Sequence, residues 1–357
     1  MAFEQIKQKL LSEDVFSNII GQVPTKEALK SALLMDRHVI IEGAPGIGKT
    51  TLVKSIPQHL PEIEVVKDCP YHCDPKAPIC PDCLTKLSKG EKLHHTKIAG
   101  AKRFIRIQGS PDLTVEDLLG DIDPAKAIEF GPSSIEVFTP GKIFKANRGV
   151  LFFDEINRCP EKLQNALLQV LEEGYATIGS YDVDLPTNFI FIGTMNPQDS
   201  SGTEKLSDVF MDRFDIIRMT YPETHEIEKE IILKYGQKLD AVEFSDELID
   251  ILISFIRSLR SSNKLERLPS VRSTIGLYEV SQSNALVRNA KKVDFIDLKK
   301  SFDSVLTHRI KLKPSLKYLM TTSEFINKEL SSFIDSKTEY NKFSKFLSDS
   351  KNGSERP

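Results

Sequence analysis

Eight residues constrain this chain most: "GAPGIGKT", Gly43 to Thr50, directly after the apolar run "HVIIE". The run has the length and composition of a buried strand, and "TTLVKSIPQHL" beyond it has a helical pattern. The segment satisfies G-x-x-x-x-G-K-[ST] in full, and strand–loop–helix is the context that pattern requires. Gly43, Gly46 and Gly48 let the backbone bend and approach phosphate oxygens with no Cβ in the way. The N–H groups of the loop, which also holds Ala44, Pro45 and Ile47, and the helix start beyond it bind anionic oxygens; Pro45 itself has no N–H to give. Lys49 is expected to reach the β- and γ-phosphates of ATP and Thr50 to offer its hydroxyl to Mg²⁺, with Thr51 as a further nucleotide-binding position.

Around this loop the chain alternates strand-length apolar runs with helical stretches. The runs are "HVIIEG", "IEVV", "RFIRI", "GVLFFDE", "NFIFIGT" and "DIIRM". Near-continuous apolar runs predict strands of a parallel sheet covered by helices on both faces, an α/β class. In "CPEKLQNALLQVLEEG" the residues Leu163, Leu167, Val170 and Leu171 share one helical face, Pro160 suits the first turn and Gly174 the residue past the end. Two hairpin-like segments interrupt the pattern, "SIEVFTPGKIF" turning at Pro140–Gly141 and "YATIGSYDVDLP" turning near Gly179–Ser180. From about Glu226 helical periodicity takes over. In "SDELIDILISFIRSLRSS", Ser245 is placed to cap a helix whose stripe is Leu248, Ile251, Leu252, Phe255, Ile256 and Leu259. The expected division is an α/β domain over 1–225, a helical domain over 226–310 and a helical extension over 311–357 with a frayed polar tail.

"GVLFFDE" puts Asp154 and Glu155 at the carboxyl end of a buried strand, the edge where ligands bind in such sheets. Asp154 is expected to hold Mg²⁺, directly or through water, and Glu155 to polarise the attacking water. Asn196, ending the run "NFIFIGTMN", would meet the γ-phosphate or its water if its strand lies beside the acidic one. Arg213 in "DVFMDRFD" and Arg272 in "RLPSVRS" are candidates for the extra positive charge that phosphoryl transfer needs, with Ser270 capping the helix that carries Arg272. An intramolecular salt bridge is the alternative for each.

Composition adds exclusions. The 357 residues carry a net charge of −3, so there is no chain-wide basic footprint for nucleic acid. No apolar run approaches the ~20 residues of a membrane helix. The opening "MAFEQIKQKLLSEDVF" does not have the pattern of a secretory signal, and with five cysteines a reducing, cytoplasmic setting is expected. Four of the five fall in "DCPYHCDPKAPICPDC", spaced Cys69-x₃-Cys73-x₆-Cys80-x₂-Cys83. Four clustered thiolates suit a closed tetrahedral Zn²⁺ shell of structural type, with His72, His94 and His95 as spare ligands. A metal-free loop and a redox-active thiol pair remain open. The segment, about 67–98, is expected to be an insert outside the ATP site.

With these pieces in order the chain resembles an AAA+ ATPase: "GAPGIGKT", "VLFFDEINR", "IGTMNP" and "MDRFD" correspond to its Walker A, Walker B, sensor 1 and arginine-finger segments, and "PSVRS" to sensor 2. "FSNIIGQ" resembles the adenine-side entry segment, with Ile19, Ile20 and Gly21 near the base. Within that family, "IQGSPDLTVEDLLGDID" and "DEINRCPEKLQNALLQVLEEG" are similar to MoxR proteins, and "PGKIFKANRGVLFFDE" and the cysteine insert to magnesium-chelatase AAA+ subunits. The resemblance covers about Val15 to Leu306 and implies a P-loop NTPase αβα three-layer sandwich followed by a smaller all-α lid. It also implies a ring of like subunits, usually a hexamer, with ATP between subunits, Arg213 acting on the neighbour's nucleotide, and inserts near 121–144 and 175–186. Such proteins work with a separate von Willebrand A-domain or chelatase subunit, so the implied activity is ATP-driven remodelling of a partner. A nucleic-acid motor of helicase type is the alternative, which the charge balance disfavours. A non-hydrolysing nucleotide switch is another, disfavoured by Glu155.

Overall fold

The structure is a computed structural model that describes residues 2–131, 137–178, 183–197, 206–336 and 343. It divides into two compact units, residues 1–43 with 48–219, and residues 44–47 with 220–357. The first unit is built on a five-stranded sheet in the order Asp215–Arg218, Val39–Glu42, Phe189–Met195, Gly149–Asp154, Phe104–Gln108. Every pairing in it is parallel. All six residues of Gly149–Asp154 and the first six of Phe189–Met195 are buried, so both faces of the central strands are covered, as their unbroken apolar runs predict.

One run belongs elsewhere. "IEVV" was expected among the parallel strands; instead Ile63–Val66 pairs antiparallel with His95–Ile98 in a ribbon of two. Its pattern is buried–exposed–buried–buried: Ile63 and Val65 share one buried face, while the other carries exposed Glu64 beside buried Val66. The ribbon frames the cysteine insert, whose ends, Val66 and His95, are register partners.

The helix Glu161–Glu173 begins after Pro160 and ends at Gly174 with φ +70°, and Leu163, Leu167 and Val170 are buried. The expected turn at Pro140–Gly141 is not a hairpin turn. Phe138–Pro140 pairs antiparallel with Gly120–Ile122, and Lys142–Lys145 is helical. The start of that hairpin, Ser134 to Glu136, lies outside the described residues. Tyr175–Ile178 and Val183–Pro186 pair antiparallel, but the turn at Gly179–Ser180 also lies outside them.

The second unit is helical. Ser245 caps Asp246–Ser261 by accepting from Leu248 N (3.4 Å), and all six residues of the predicted stripe are buried. They share a core with Leu277, Phe295, Leu298 and Phe302, and also with Phe325, Ile326, Leu330 and Ile334 of the helix Thr322–Asp335. Residues past 310, expected to form an extension, thus contribute to the same core. Burying each such side chain stabilises by about 1.5–3 kcal/mol. Inside this unit the fully buried Glu228 takes a two-pronged pair from Arg260, 2.7 Å on each oxygen, and a hydrogen bond from Thr274 at 2.7 Å. The expected tail, residues 348–357, lies outside the described residues.

Candidate functional site

The parallel register brings Glu42, Met195, Asp154 and Gln108 to one edge of the sheet, where the strands end. The phosphate loop leaves from this edge. Gly46 and Gly48 take φ +72° and +107°, the left-handed region that a side chain resists. Gly43 is buried but has no such φ, so its expected role in bending the loop does not arise from left-handed backbone. Gly48 opens the helix Lys49–Lys54, and Lys49 Nζ folds back to donate to Gly43 O at 2.6 Å.

Thr50 and Asp154 meet although 104 residues apart in sequence: the Thr50 hydroxyl lies 3.2 Å from both carboxylate oxygens. The Thr194 hydroxyl donates to Asp154 Oδ1 at 2.6 Å and accepts from the Glu155 amide at 3.0 Å. Arg106, from the neighbouring edge strand, donates to Asp154 Oδ2 at 2.6 Å. Asp154 is 7% exposed, so its charge is answered by these donors rather than by bulk water. A hydroxyl beside a nearly buried carboxylate, at a loop whose lysine folds inward, is a donor set that suits a hard divalent cation such as Mg²⁺.

Glu155 sits in left-handed backbone, φ +57°, at the step from strand to the turn Ile156–Arg158. Gln108 Nε2 donates to its Oε2 at 3.1 Å, and Arg158 Nη1 stands 3.4 Å from the same oxygen. Gly109 is required here, because a Cβ on it would fall 2.1 Å from Glu155 O. Asn196 follows the strand adjacent to the acidic one, as expected, and its carbonyl accepts from Asn157 Nδ2 at 3.3 Å. Ile19 is buried, and Ile20 and Gly21 (φ +66°) lie in the short irregular stretch before the helix Val23–Leu34. Thr51 is exposed on the helix after the loop.

The two candidate arginines are placed differently. Arg213 precedes the strand Asp215–Arg218, whose first residue pairs with Val39, so it lies at the opposite edge of the sheet from Asp154. There it donates to Val209 O at 2.6 Å and pairs with Glu172 at 2.6 Å. Arg272 lies in the second unit, in the first turn of Val271–Val287, capped by Ser270 accepting from Ser273 N at 3.3 Å. Within that same unit its amide donates to Gly46 O at 3.3 Å.

Cys69, Cys73, Cys80 and Cys83 converge, with all four sulfurs within 4.8 Å of one another. A tetrahedral zinc shell with bonds of about 2.3 Å needs sulfur–sulfur edges of about 3.8 Å. The Cys69–Cys80 edge is 3.7 Å. Amides of Ile79 and Cys80 point at Cys73 Sγ, and that of Cys83 at Cys80 Sγ, each 3.4 Å away. Hydrogen bonds from Cys73 and Cys80 pull the Cys69 thiol well below its ordinary value, and the contacts of Cys80 with Cys69 and Cys73 push its own thiol up. Four sulfurs at this spacing are a donor set that fits a tetrahedral cation. His72 Nδ1 is a buried atom with no hydrogen-bond partner, and His94 and His95 line a cavity of about 640 Å³ beside the cluster.

Sequence reasoning missed Thr194, Arg106 and Gln108. Each had a signal: a threonine buried at the end of an apolar strand, and two polar residues two apart on an edge strand, hence on one face.

Comparison with known proteins bears on the family. Residues 85–216 match the family described as "ATPase family associated with various cellular activities (AAA)", and residues 15–69 match "Magnesium chelatase, subunit ChlI". The chain is thus similar to an AAA ATPase family and to magnesium-chelatase ChlI subunits over neighbouring stretches. Among its relatives, a magnesium-chelatase subunit ChlI homolog of Methanocaldococcus jannaschii is 28% identical, over 84% of this chain and 86% of its own. The Bacillus subtilis protein YeaC is 26% identical, over 94% of this chain and 97% of its own. Among solved structures, a model of the complex between the magnesium-chelatase subunits BchI and BchD shares 22% identity, covering 85% of this chain and 98% of that one, with a TM-score of 0.48.

Proposed function

We propose that this chain is an AAA+ protein that binds ATP with Mg²⁺ and hydrolyses it to drive remodelling of a separate partner protein. The observation that carries this reading is the Thr50 hydroxyl 3.2 Å from both oxygens of Asp154, with Lys49 behind the loop. Bound Mg²⁺ would supply positive charge against the phosphates. Thr50 and Asp154 would hold it, the loop from Gly43 to Thr50 would grip the phosphates, Glu155 would orient water, and Asn196 would contact that water or the γ-phosphate.

Arg213 cannot serve its own chain's site from the opposite edge of the sheet. We assign it to the nucleotide of a neighbouring subunit, which requires a ring of like chains, hexameric by family habit. Arg272, from the helical unit, is assigned to the nucleotide held by its own chain. The match to the magnesium-chelatase ChlI family supports a chelatase-type or MoxR-type partner, either a chelatase subunit or a von Willebrand A-domain protein. A structural Zn²⁺ on the four cysteines supports the insert, and the cytoplasm is the proposed location. Among the described residues no helix is long and apolar enough to cross a membrane.

The test is ATP binding by Lys49→Ala, with turnover by Glu155→Gln. Loss of binding in the first, and retained binding with turnover abolished in the second, are expected. Tight ATP binding by Lys49→Ala would refute the site.

A further inference from the structure

Arg106 has no part in the assignments above, yet it makes the shortest contact to the Asp154 Oδ2 oxygen, 2.6 Å. It sits on the edge strand opposite Phe152, and its other contact is Gln108 Oε1 at 3.2 Å. Its side chain is 42% exposed, whereas the Asp154 side chain is 10% exposed. Asp154 Oδ1 is taken by Thr194 and Oδ2 by Arg106, with Thr50 reaching both. A cation on Asp154 must therefore compete with a guanidinium that already answers its charge. Conversely, a polyphosphate arriving without metal meets a carboxylate that Arg106 has neutralised.

We propose that Arg106 is the counter-cation of Asp154 when no divalent metal is present, and so sets how strongly nucleotide binding depends on magnesium. The proposal rests on the ATP reading given above. Arg106 is here a positioning residue, acting through Asp154 and not on the reacting atoms.

The experiment measures the affinity of a fluorescent ATP analogue with excess EDTA and with magnesium, for the full chain and for Arg106→Gln and Arg106→Lys. Without Arg106, the Asp154 charge repels metal-free ATP, and affinity in EDTA is expected to fall about ten-fold. Affinity with magnesium is expected to change less than about two-fold, since the metal then supplies the charge. Arg106→Lys, which keeps the charge, is expected to hold the ratio of the two affinities near that of the parent chain. Adding Asp154→Asn to Arg106→Gln removes the repulsion, so the EDTA loss should shrink. A ratio unchanged in Arg106→Gln, equal losses in both arms, or a ratio raised as much by Arg106→Lys would overturn the proposal. Should the parent chain bind no ATP in either condition, the ATP reading falls and takes this inference with it. Binding with an unaltered ratio sinks the inference alone.

Discussion

The Thr194 hydroxyl bridges the two acids of the site: it donates to Asp154 at 2.6 Å and accepts the Glu155 amide at 3.0 Å. Thr194→Val keeps the shape and strips both bonds, leaving a partly buried amide unpaired. The cost is about 1–3 kcal/mol. That lowers the midpoint of thermal unfolding by several degrees, and turnover falls because Glu155 loses its anchor. Thr194→Ser should recover most of both. Calorimetry beside an ATPase assay checks this, and an unchanged Thr194→Val would remove the bridge from the account.

Arg213 and Glu172 form a half-exposed pair, worth at most about 1 kcal/mol. Arg213→Ala should therefore fold normally and bind ATP within about two-fold of the parent, while hydrolysis falls by about 10³. Mixed with Lys49→Ala subunits, it should regain part of the lost activity, since each variant supplies what the other lacks. Full turnover by Arg213→Ala alone would contradict the assignment.

Metal content is countable. Purified protein should carry about one zinc per chain, released by a strong thiol-directed chelator, and Cys80→Ser should lose it. The insert should then become protease-sensitive between Lys67 and His94 while ATP binding stays within about two-fold. A metal-free preparation with an undisturbed insert would return the cluster to a plain loop.

His38 makes stability fall in mild acid. Its Nδ1 accepts from Phe191 N at 3.1 Å, and burial pushes its pKa down to about 4. Unfolded histidine titrates near 6.5, so between about 6.5 and 4 the unfolded chain binds a proton that the folded chain refuses. Stability is full above 6.5 and is lost as pH falls through that window, by about 3 kcal/mol in total. His38→Gln, which keeps an acceptor, should flatten this part of the pH–stability curve. An identical slope in both proteins would show that His38 is not the group responsible.

The central strands were legible because burial on both faces erases alternation: "GVLFFD" and "FIFIGT" admit no solvent-facing residue. The same criterion misplaced "IEVV", whose one exposed residue, Glu64, is too little alternation to separate a ribbon from a sheet. The phosphate loop and the acid pair were legible because their chemistry is local. Arg106 and Gln108 were not, because their importance depends on which strand lies beside Gly149–Asp154, and that comes from long-range pairing. Arg213 read as a cation with two candidate uses. The strand order shows that its own chain's acid pair is at the far side of the sheet.

Arg148 closes the account of the insert. Its guanidinium holds the carbonyls of Glu64 and His72 and the carboxylate of Asp74, and the next residue begins the strand that ends in Asp154. The cysteine module is thus moored at the heel of the strand whose toe carries the acids. The sulfurs and the acids sit at opposite ends of one strand's reach, joined through the backbone that Arg148 anchors.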